Sequence, residues 1–424
     1  MKLILLCVLS ISLGLVAQPT WQNLPDAVSN PNNQRFDDVY FINGHTGWAA
    51  NGAFASVYKT SDGGMTWTEQ LSESDLSGNF YFRAIEFLNA DVGFLGTLSD
   101  AFFWTQDGGD NWELVDNITP YPEAICGLDA VNSNTIYGCG AYFTPAYIIK
   151  STDSGDSWTY IDMSSYATAL VDIHFANESI GYAAGRNVNG ALILKTTNGG
   201  TDWVEIFNSN IPGEYVWKLQ VLDSNTDVIF GSVFSIQPFP GKLIKSTNAG
   251  EDWNSYDAPE TDVQAVGFIT ENTGWMGGYT TGFYETQDGG QTWTDLGVGS
   301  NLNKIFVINS TLAYGAGTTL YKFSDASLST EEDANLDPND TFIQLENNPV
   351  ANMLKIDIRY LSNDHLRIQL YDVNGKYLKD LLIDKISEPS TRFYEIDVSE
   401  LSSGSYFLDL HTNLGRKSLK FIKI

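Results

Sequence analysis

The sequence has 424 residues, which is enough for two or three domains. Charged residues make up only 18%, aromatic residues make up 13%, and there are 38 glycines. This composition is typical of a β-rich, turn-rich globular protein and excludes a largely disordered or helical chain. The formal net charge of −29 is opposite in sign to what nucleic-acid binding requires, so no nucleic-acid partner is expected.

Residues 1–17 are predicted to be a secretory signal peptide. Lys2 supplies the basic start, and the apolar stretch Leu3–Val16 is shorter than a bilayer-spanning helix needs to be. Ala17 suits the position before a cleavage site, so we expect the mature chain to begin at Gln18. No later segment of the sequence has the length and apolar character of a transmembrane helix.

One eight-residue phrase, such as TQDGGDNW at 105–112, occurs six times along the chain. The closing tryptophans are 45, 46, 45, 50 and 40 residues apart, which indicates a repeat architecture. Trp21, 46 residues before the first of them, marks a seventh repeat. Each phrase supplies an acid or amide, a glycine and a tryptophan: Asp62, Gly64, Trp67; Asp107, Gly109, Trp112; Asp153, Gly155, Trp158; Asn198, Gly200, Trp203; Asn248, Gly250, Trp253; Asp288, Gly290, Trp293.

The residue types in this phrase favour a structural role over a catalytic or metal-binding one. A short acid or amide can accept N–H groups of its own turn, and an invariable glycine indicates positive φ. The tryptophan is a large apolar group that can lock the turn onto a sheet. Asn198 and Asn248 replace the acid in two copies, and an amide lacks the charge that a metal or an acid catalyst requires.

A second repeated pattern has two short apolar runs that flank a polar turn, which is the signature of a β-hairpin. With one strand before each phrase and one after it, every repeat has four strands, and seven repeats predict a seven-bladed β-propeller over residues 18–324. The seventh repeat lacks its fourth strand. We expect the N-terminal strand around Trp21 to complete that blade and close the ring. The second apolar run of the hairpins ends at Trp48, Phe94, Tyr137, Tyr182, Phe230, Trp275 and Tyr314.

The phrase resembles the Asp-box of sialidase-type (BNR) repeats. Asp-boxes occur in sialidases, some endoglucanases and xyloglucanases, sortilin-like receptors and the photosystem II stability/assembly factor propellers. The combination of "GW" or "GY" hairpins with "TxDGGxxW" is most similar to the assembly-factor group. This resemblance implies a propeller whose boxes lie at the blade periphery, away from any active site, and it leaves the function open.

The rest of the chain differs in charge from the propeller. Residues 325–340 are predicted to be an acidic linker. Residues 341–424 contain 11 basic and 11 acidic side chains, so the whole net charge lies before them. Their alternating strands and the Asn374–Gly375 hairpin turn predict an immunoglobulin-like β-sandwich.

This last segment resembles the C-terminal sorting domain of the type IX (Por) secretion system of Bacteroidetes. The resemblance is carried by NPV at 348–350, LYDVNGK at 370–376, SSGSYFL at 402–408 and the final FIKI. It implies transport through the periplasm and across the outer membrane by the type IX secretion machinery. The protein is then expected to be secreted or attached to the outer cell surface.

Two cysteines, Cys126 and Cys139, remain after removal of the signal peptide, on neighbouring strands of one predicted hairpin. Export permits a disulfide between them. Two small core residues are an equally good interpretation.

No sequence pattern indicates a catalytic centre, a metal site or a cofactor. The four histidines lack metal-ligand spacing, and phosphate loops, EF-hand loops and Gly-x-Ser-x-Gly elbows are absent. Ligands of propellers usually meet the central channel. Aligned by hand, the inner strands place seven residues beside it: Asp37, Arg83, Cys126, Val171, Trp217, Gln264 and Asn303.

Arg83 and Trp217 are the predicted ligand contacts among these seven residues. An arginine can clamp an anion, and an exposed tryptophan can stack on a sugar or hold a peptide. The alternative is that Trp217 packs between blades and Arg83 pairs with Glu86.

The sequence therefore favours a non-catalytic binding or scaffold protein, secreted or at the cell surface, with a glycan or protein ligand. The alternative is an extracellular glycoside hydrolase of the sialidase-like or endoglucanase-like Asp-box type. Sialidases need an arginine cluster, whereas the propeller has Arg35, Arg83 and Arg186 and lacks the Arg-x-Pro signature of that family. Paired carboxylates are unavoidable in so acidic a chain and therefore do not indicate hydrolysis.

Overall fold

The computed structural model describes residues 19–30, 34–140, 145–324, 342–345, 349–360, 364–372, 377–386, 390–402, 404–411 and 416–424. The chain divides into two compact units, Met1–Ser327 and Leu328–Ile424. The predicted signal peptide, the predicted linker and the Asn374–Gly375 turn lie outside the described residues.

Seven four-stranded antiparallel sheets make up the first unit, so the prediction of a seven-bladed all-β propeller is confirmed. Apart from strands, the described residues of this unit contain one short 3-10 helix at Glu73–Asp75. The strands, blade by blade, are β2 Phe36–Phe41, β3 Gly47–Asn51, β4 Ser56–Thr60, β5 Thr68–Leu71; β6 Phe82–Phe87, β7 Gly93–Thr97, β8 Phe102–Thr105, β9 Glu113–Leu114; β10 Gly127–Ala130, β11 Ile136–Gly140, β12 Tyr147–Ser151, β13 Thr159–Asp162; β14 Ala169–Phe175, β15 Gly181–Asn187, β16 Gly190–Thr196, β17 Val204–Asn208; β18 Tyr215–Leu222, β19 Asn225–Phe234, β20 Lys242–Ser246, β21 Asn254–Asp257; β22 Val263–Phe268, β23 Gly274–Gly278, β24 Tyr284–Thr286, β25 Thr294–Asp295; and β26 Lys304–Asn309, β27 Leu312–Ala316, β28 Leu320–Ser324 with β1 Thr20–Asn23.

The seventh blade contains strands from both ends of the propeller. β1 pairs antiparallel with β28, and this pairing sets Trp21 opposite Phe323. The buried Trp21 ring also stacks on Phe283 of blade 6, with 3.9 Å between ring centroids. The N-terminal strand therefore contributes to the core between blades 6 and 7 as well as to the sheet.

Each Asp-box satisfies its own turn with hydrogen bonds. In blade 1, the Gly64 N–H donates to Thr60 Oγ1 at 2.9 Å, and the Thr66 N–H donates to Asp62 Oδ1 at 2.9 Å. Equivalent bonds occur in the other five boxes. The second glycines of all six boxes have φ between 83° and 100°, as the turn requires.

The boxes are also where neighbouring blades are joined. In blade 3, Tyr137 Oη and Lys150 Nζ both donate to the carbonyl oxygen of Gly199, in the box of blade 4, at 2.9 Å. The Lys150 ammonium lies 5.1 Å from the centroid of the Tyr137 ring, and that ring stacks on Phe175 of blade 4. The same joint is formed by Trp48 and Lys59 at Gly108, and by Tyr314 and Lys322 at Gly63.

The second unit consists of two antiparallel sheets with one shared core. Its strands are β29 Phe342–Leu345, β30 Met353–Tyr360, β31 Asp364–Asp372, β32 Tyr377–Ile386, β33 Ser390–Asp397, β34 Gly404–His411 and β35 Arg416–Lys423. The sheet orders are β29-β30-β33 and β32-β31-β34-β35. Buried residues from both sheets, including Ile356 and Ile368, belong to one hydrophobic cluster.

A box glycine substituted by alanine should destabilise the protein by more than the backbone strain alone. A Cβ at Gly155, where φ is 97°, would lie 2.6 Å from Phe94 Cζ. Strain and overpacking together should cost ~3 kcal/mol for Gly155→Ala. Gly297 also has positive φ, but nothing lies within 4 Å of an added Cβ, so Gly297→Ala should cost only ~1 kcal/mol. Chemical denaturation followed by tryptophan fluorescence checks both values, and equal losses would contradict the packing role of the box.

Candidate binding face and central channel

β-bulges direct side chains from the inner strands into the central channel. The register shifts at one residue in the inner strands of blades 1, 2, 4, 5 and 6. The extra residues are Asp37, Arg83, Val171, Trp217 and Gln264. They are five of the seven residues that the sequence repeat predicts beside the channel. A bulge re-aims the side chain of its extra residue. The equivalent Cys126 and Asn303 directly precede β10 and β26.

These side chains fill one end of the channel with a polar and aromatic network. Arg83 Nη1 donates to Asp37 Oδ1 at 2.7 Å, and Tyr81 Oη donates to Asp37 Oδ2 at 2.8 Å. Trp217 Nε1 donates to Asn303 Oδ1 at 2.9 Å, and Asn303 Nδ2 donates to the Asp37 carbonyl. Side chains of blades 1, 2, 5 and 7 are therefore connected through this network.

The structure brings the two predicted ligand contacts together and buries them. The Arg83 guanidinium lies 5.1 Å from the centroid of the Trp217 ring, and Phe234 stacks on that ring at 5.5 Å. Arg83 is 4% exposed and Trp217 is 7% exposed. A sugar cannot stack on a tryptophan covered in this way. The alternative pairing of Arg83 with Glu86 is wrong, because Arg83 forms its ion pair with Asp37.

One donor of Arg83 nevertheless has no acceptor in the described part of the chain. Its Nη2 atom is buried and has no hydrogen-bond partner among the described residues. A buried, unpaired guanidinium nitrogen is costly unless an acceptor reaches it. The prediction that Arg83 and Trp217 contact a ligand remains a prediction, with Nη2 as its best support.

Sequence reasoning missed the role of Arg35, which precedes the first inner strand. Its guanidinium donates to Asp37 Oδ1 at 3.2 Å, to Asn301 Oδ1 at 3.0 Å and to Gln264 Oε1. Arg35 thus connects blades 1, 6 and 7. The available signal was its rarity, since it is one of three arginines in a very acidic propeller.

Carboxylates deeper in the channel bond the backbone of the next blade. Asp38 accepts from the Ile85 N–H at 3.0 Å, and Asp172 accepts from the Leu219 N–H at 2.8 Å. Lys218 Nζ lies 3.3 Å from Asp172 Oδ1. These acids therefore stabilise the ring of blades, and their presence does not indicate a hydrolytic pair.

A second group of titratable side chains consists of Glu86, Asp129 and His174. Each lies three residues after the residue of its own blade that was aligned beside the channel. Glu86 accepts from the Ala130 N–H at 3.2 Å, and Asp129 accepts from the Phe175 N–H at 2.9 Å. His174 Nδ1 lies 3.2 Å from Asp129 Oδ1. Burial, and then the negative charge of Asp129, raise the pKa of Glu86 well above its usual value. Burial lowers the pKa of His174, but Asp129 outweighs burial and the net pKa is raised.

The channel charges nearly balance. Among the described residues, five carboxylates face two guanidinium and two ammonium groups, so a proton on His174 or Glu86 makes the group neutral, in agreement with both raised pKa values. The Lys304 ammonium is 3.8 Å from Asp38, and although burial lowers its pKa, the surrounding carboxylates raise it overall. The five acids are Asp37, Asp38, Glu86, Asp129 and Asp172, and the four cations are Arg35, Arg83, Lys218 and Lys304.

The two cysteines are neighbours, since the Cys126 N–H donates to the Cys139 carbonyl at 2.7 Å, but they pack in different hydrophobic clusters. Cys126 packs with Val171 and Trp217 at the channel, whereas Cys139 packs between blades 3 and 4. Both are buried thiols in the structure, and burial raises the pKa of Cys139. This arrangement favours small core residues over a disulfide, which remains a prediction.

The strand order divides the loops of the propeller between two faces. Each inner strand begins at the face that also holds the loops between the second and third strands of each blade, and we call it the top face. The opposite, bottom face holds the hairpin turns and the six Asp-boxes. The polar turn sequences are thus collected on the bottom face.

Exposed large apolar side chains are concentrated on the top face. Among the described residues, every blade or the loop that follows it contributes at least one, and the bottom-face loops contribute none. Leu114 and Val204 are the remaining two in the propeller, and they lie on outer strands. The top-face residues are Val28, Phe54, Tyr121, Tyr166, Val188, Ile236, Phe239 and Tyr279.

Two protein-family models match this chain. Residues 17–160 match the model described as photosynthesis system II assembly factor YCF48. Residues 348–424 match the secretion system C-terminal sorting domain. The first part of the propeller is thus similar to YCF48 repeats, and the end of the chain matches a secretion-system sorting domain. The sorting domain implies that the protein is secreted, or placed on the cell surface, by the type IX system.

Solved propeller structures share the fold of this chain. YCF48 bound to D1 peptide is 21% identical, with a TM-score of 0.56 over 72% of this chain and 96% of that chain. YCF48 from Cyanidioschyzon merolae is 19% identical, with a TM-score of 0.57 over 72% and 98%. The WD40 β propeller domain of Doa1 is 11% identical, with a TM-score of 0.52 over 73% and 98%. No curated protein matches the chain.

Two further observations bear on chemistry and location. Within the described ranges, no group of three or more His, Cys, Asp and Glu side chains is arranged to hold a metal ion. In the same part of the chain, no helix has the length and apolar character that a membrane crossing requires.

The His174–Asp129 pair of the propeller should make stability depend on pH. Because its folded pKa is raised, His174 contributes stability below the unfolded pKa of about 6.5, and this contribution is lost as pH rises through the folded pKa. His174→Gln should therefore lower the melting temperature at pH 6 and hardly change it at pH 9. The loss should stay below about 1 kcal/mol, since the side chain is 34% exposed.

His45 provides a control of opposite sign for this measurement. Burial lowers the pKa of His45 to about 4, so its contribution to stability is present above about 6.5 and is lost as pH falls. Between pH 7 and pH 4, the melting temperature of the unmodified protein should fall by more than that of His45→Gln. A His174→Gln deficit that grows with pH would contradict the assignment of the Asp129 pair.

Proposed function

We propose that this protein is a non-catalytic binding or scaffold protein, exported by the type IX system, that holds a glycan or protein ligand on the top face of its propeller. The observation that carries this proposal is the ring of exposed apolar side chains, with a contribution from every blade or the loop that follows it. Large apolar groups exposed on one face mark an interaction site, because their exposure opposes solubility without helping the fold. One related propeller structure is described as bound to a peptide.

The filled channel supports binding on a face over catalysis in a cleft. The inner-strand carboxylates accept backbone N–H groups of the next blade, as Asp38 and Asp172 do. A general acid or a nucleophile must instead point at a substrate. We further propose that an acceptor on the ligand reaches Arg83 Nη2, with Trp217 supporting the guanidinium from below.

The organisation of the chain belongs to the same proposal. We propose removal of the signal peptide 1–17, a propeller over 18–324, an acidic linker over 325–340 and a sorting domain over 341–424. The shared core of its two sheets supports an immunoglobulin-like sandwich for the sorting domain. The pairing of β1 with β28 supports closure of the ring by the N-terminal strand.

Loss of the Trp21 ring should open the seventh blade. Trp21→Ala should cost about 3–5 kcal/mol of stability, because the ring packs on Phe283, Trp275 and Phe323 in the core. Trp21→Phe should keep most of this stability. Denaturant unfolding and limited proteolysis near residue 24 distinguish a strand that closes the ring from a strand that does not contribute to stability. A tolerated Trp21→Ala would contradict closure.

The function is tested with purified protein, beginning at Gln18, on a panel of polysaccharides and glycoproteins. Retention on a ligand and release of new reducing ends are scored together. We expect retention without release, and we expect Phe239→Ser/Tyr279→Ser to abolish it. Leu114→Ser/Val204→Ser, which removes equally exposed apolar groups from the outer strands, should leave it unchanged.

Release of reducing ends would overturn the non-catalytic proposal in favour of a glycoside hydrolase. In that case Arg83→Lys, which keeps the charge but loses the Nη2 donor, becomes the first variant to assay. Retention that is equally sensitive to the top-face and outer-strand variants would place the ligand elsewhere on the protein.

A further inference from the structure

The top face is acidic as well as apolar. Five acids in its loops are exposed, and Asp162 and Asp295 are exposed at the strand ends beside them. Glu260 and Asp262 add half-buried carboxylates. The five exposed loop acids are Glu73, Asp75, Asp100, Asp116 and Glu123. Asp26 is not among them, because its carboxylate accepts from the Trp67 N–H of an Asp-box at 3.0 Å.

The basic residues of this face are occupied within the protein. Arg35 is buried in the channel network, the Arg186 guanidinium lies 4.2 Å from the centroid of the Tyr215 ring, and Lys242 pairs with Asp257. Most other propeller lysines reach bottom-face carbonyls, as Lys59 and Lys150 do. Apart from Asp257, the exposed acids of the top face form no ion pair among the described residues, so this face presents apolar groups among carboxylates.

We propose that the top face binds a cationic polypeptide segment that carries apolar side chains. This inference rests on the proposed function, in which the top face is the ligand-binding surface. Lysine or arginine side chains of the partner face the exposed acids, and its apolar side chains cover residues such as Phe54, Val188 and Tyr279. Charge complementarity thus selects the partner, and the apolar ring supplies the buried area.

The same charges disfavour other partners of a cell-surface protein. Anionic polysaccharides, anionic lipid surfaces and nucleic acids are repelled by the carboxylates. Neutral sugars prefer flat aromatic platforms in a concave site. The ring includes the aliphatic Val28, Val188 and Ile236 and is spread over all seven blades. Such a dispersed set fits the side chains of a polypeptide better than one sugar ring.

The experiment measures binding of the protein, beginning at Gln18, to three synthetic peptides of equal length. In the first, Lys and Leu alternate with Gly and Ser; in the second, Glu replaces Lys; in the third, Ser replaces Leu. We expect the first peptide to bind at least about tenfold more tightly than the other two, and its binding to weaken as salt is added.

Two pairs of variants locate the site. Phe239→Ser/Tyr279→Ser and Asp100→Asn/Asp116→Asn should each weaken binding of the first peptide by about tenfold. The matched control variants remove the same kinds of side chain, apolar or acidic, from exposed positions outside the top face. Leu114→Ser/Val204→Ser and Asp91→Asn/Glu113→Gln should leave the binding unchanged, since these residues are exposed on the outer strands or on the bottom face.

Each outcome decides between the two proposals. Failure of the first peptide to bind, or binding that the control variants reduce as much, overturns the cationic partner. If a neutral polysaccharide is retained and only the top-face variants lose it, the proposed function stands and the cationic partner is wrong. If no probe depends on the top-face residues, both proposals are wrong.

Discussion

The joint between neighbouring blades is the interaction on which the propeller depends. A four-stranded blade cannot bury both of its faces alone, so its stability comes from the next blade. Here an aromatic side chain and a lysine from one blade converge on a box carbonyl of the next, as Tyr137 and Lys150 do at Gly199. The carbonyl is free to accept because the positive φ of the box glycines turns it away from its own strand. At Gly63, Gly108 and Gly199, the repeated phrase therefore supplies the acceptor of the joint.

This joint explains how so acidic a propeller uses its few cations. Lysines that reach box carbonyls, and the channel cations Arg35, Arg83, Lys218 and Lys304, are all bound within the fold. Their positive charge stabilises the contacts between blades. The surface is left with unneutralised carboxylates, which keep an exported protein soluble and determine which partners approach it.

The channel shows how a conspicuous constellation can be structural. Arg83, Trp217 and several acids converge there, and in an enzyme such convergence would mark the active site. Most of their polar atoms are already bonded to other blades, and the side chains are buried. The exceptions are one buried nitrogen of Arg83, which has no acceptor among the described residues, and the exposed side chains of the top face. The proposed binding role therefore rests on the exposed apolar side chains of that face. The sorting domain indicates only where the protein is transported.

The sequence by itself determined the blade number, the all-β class and the sorting domain, because each depends on local patterns. Turn residues, strand periodicity and the spacing of six tryptophans repeat often enough to be read without tertiary information. It also aligned the channel residues correctly, since the repeat carries the same bulge in five blades. Only the tertiary structure decided that Arg83 pairs with Asp37, that Trp217 is covered, and that scattered residues such as Phe54 and Tyr279 share one face. Those contacts join residues from different blades, and a pattern within one repeat contains no information about which side chains meet across a ring.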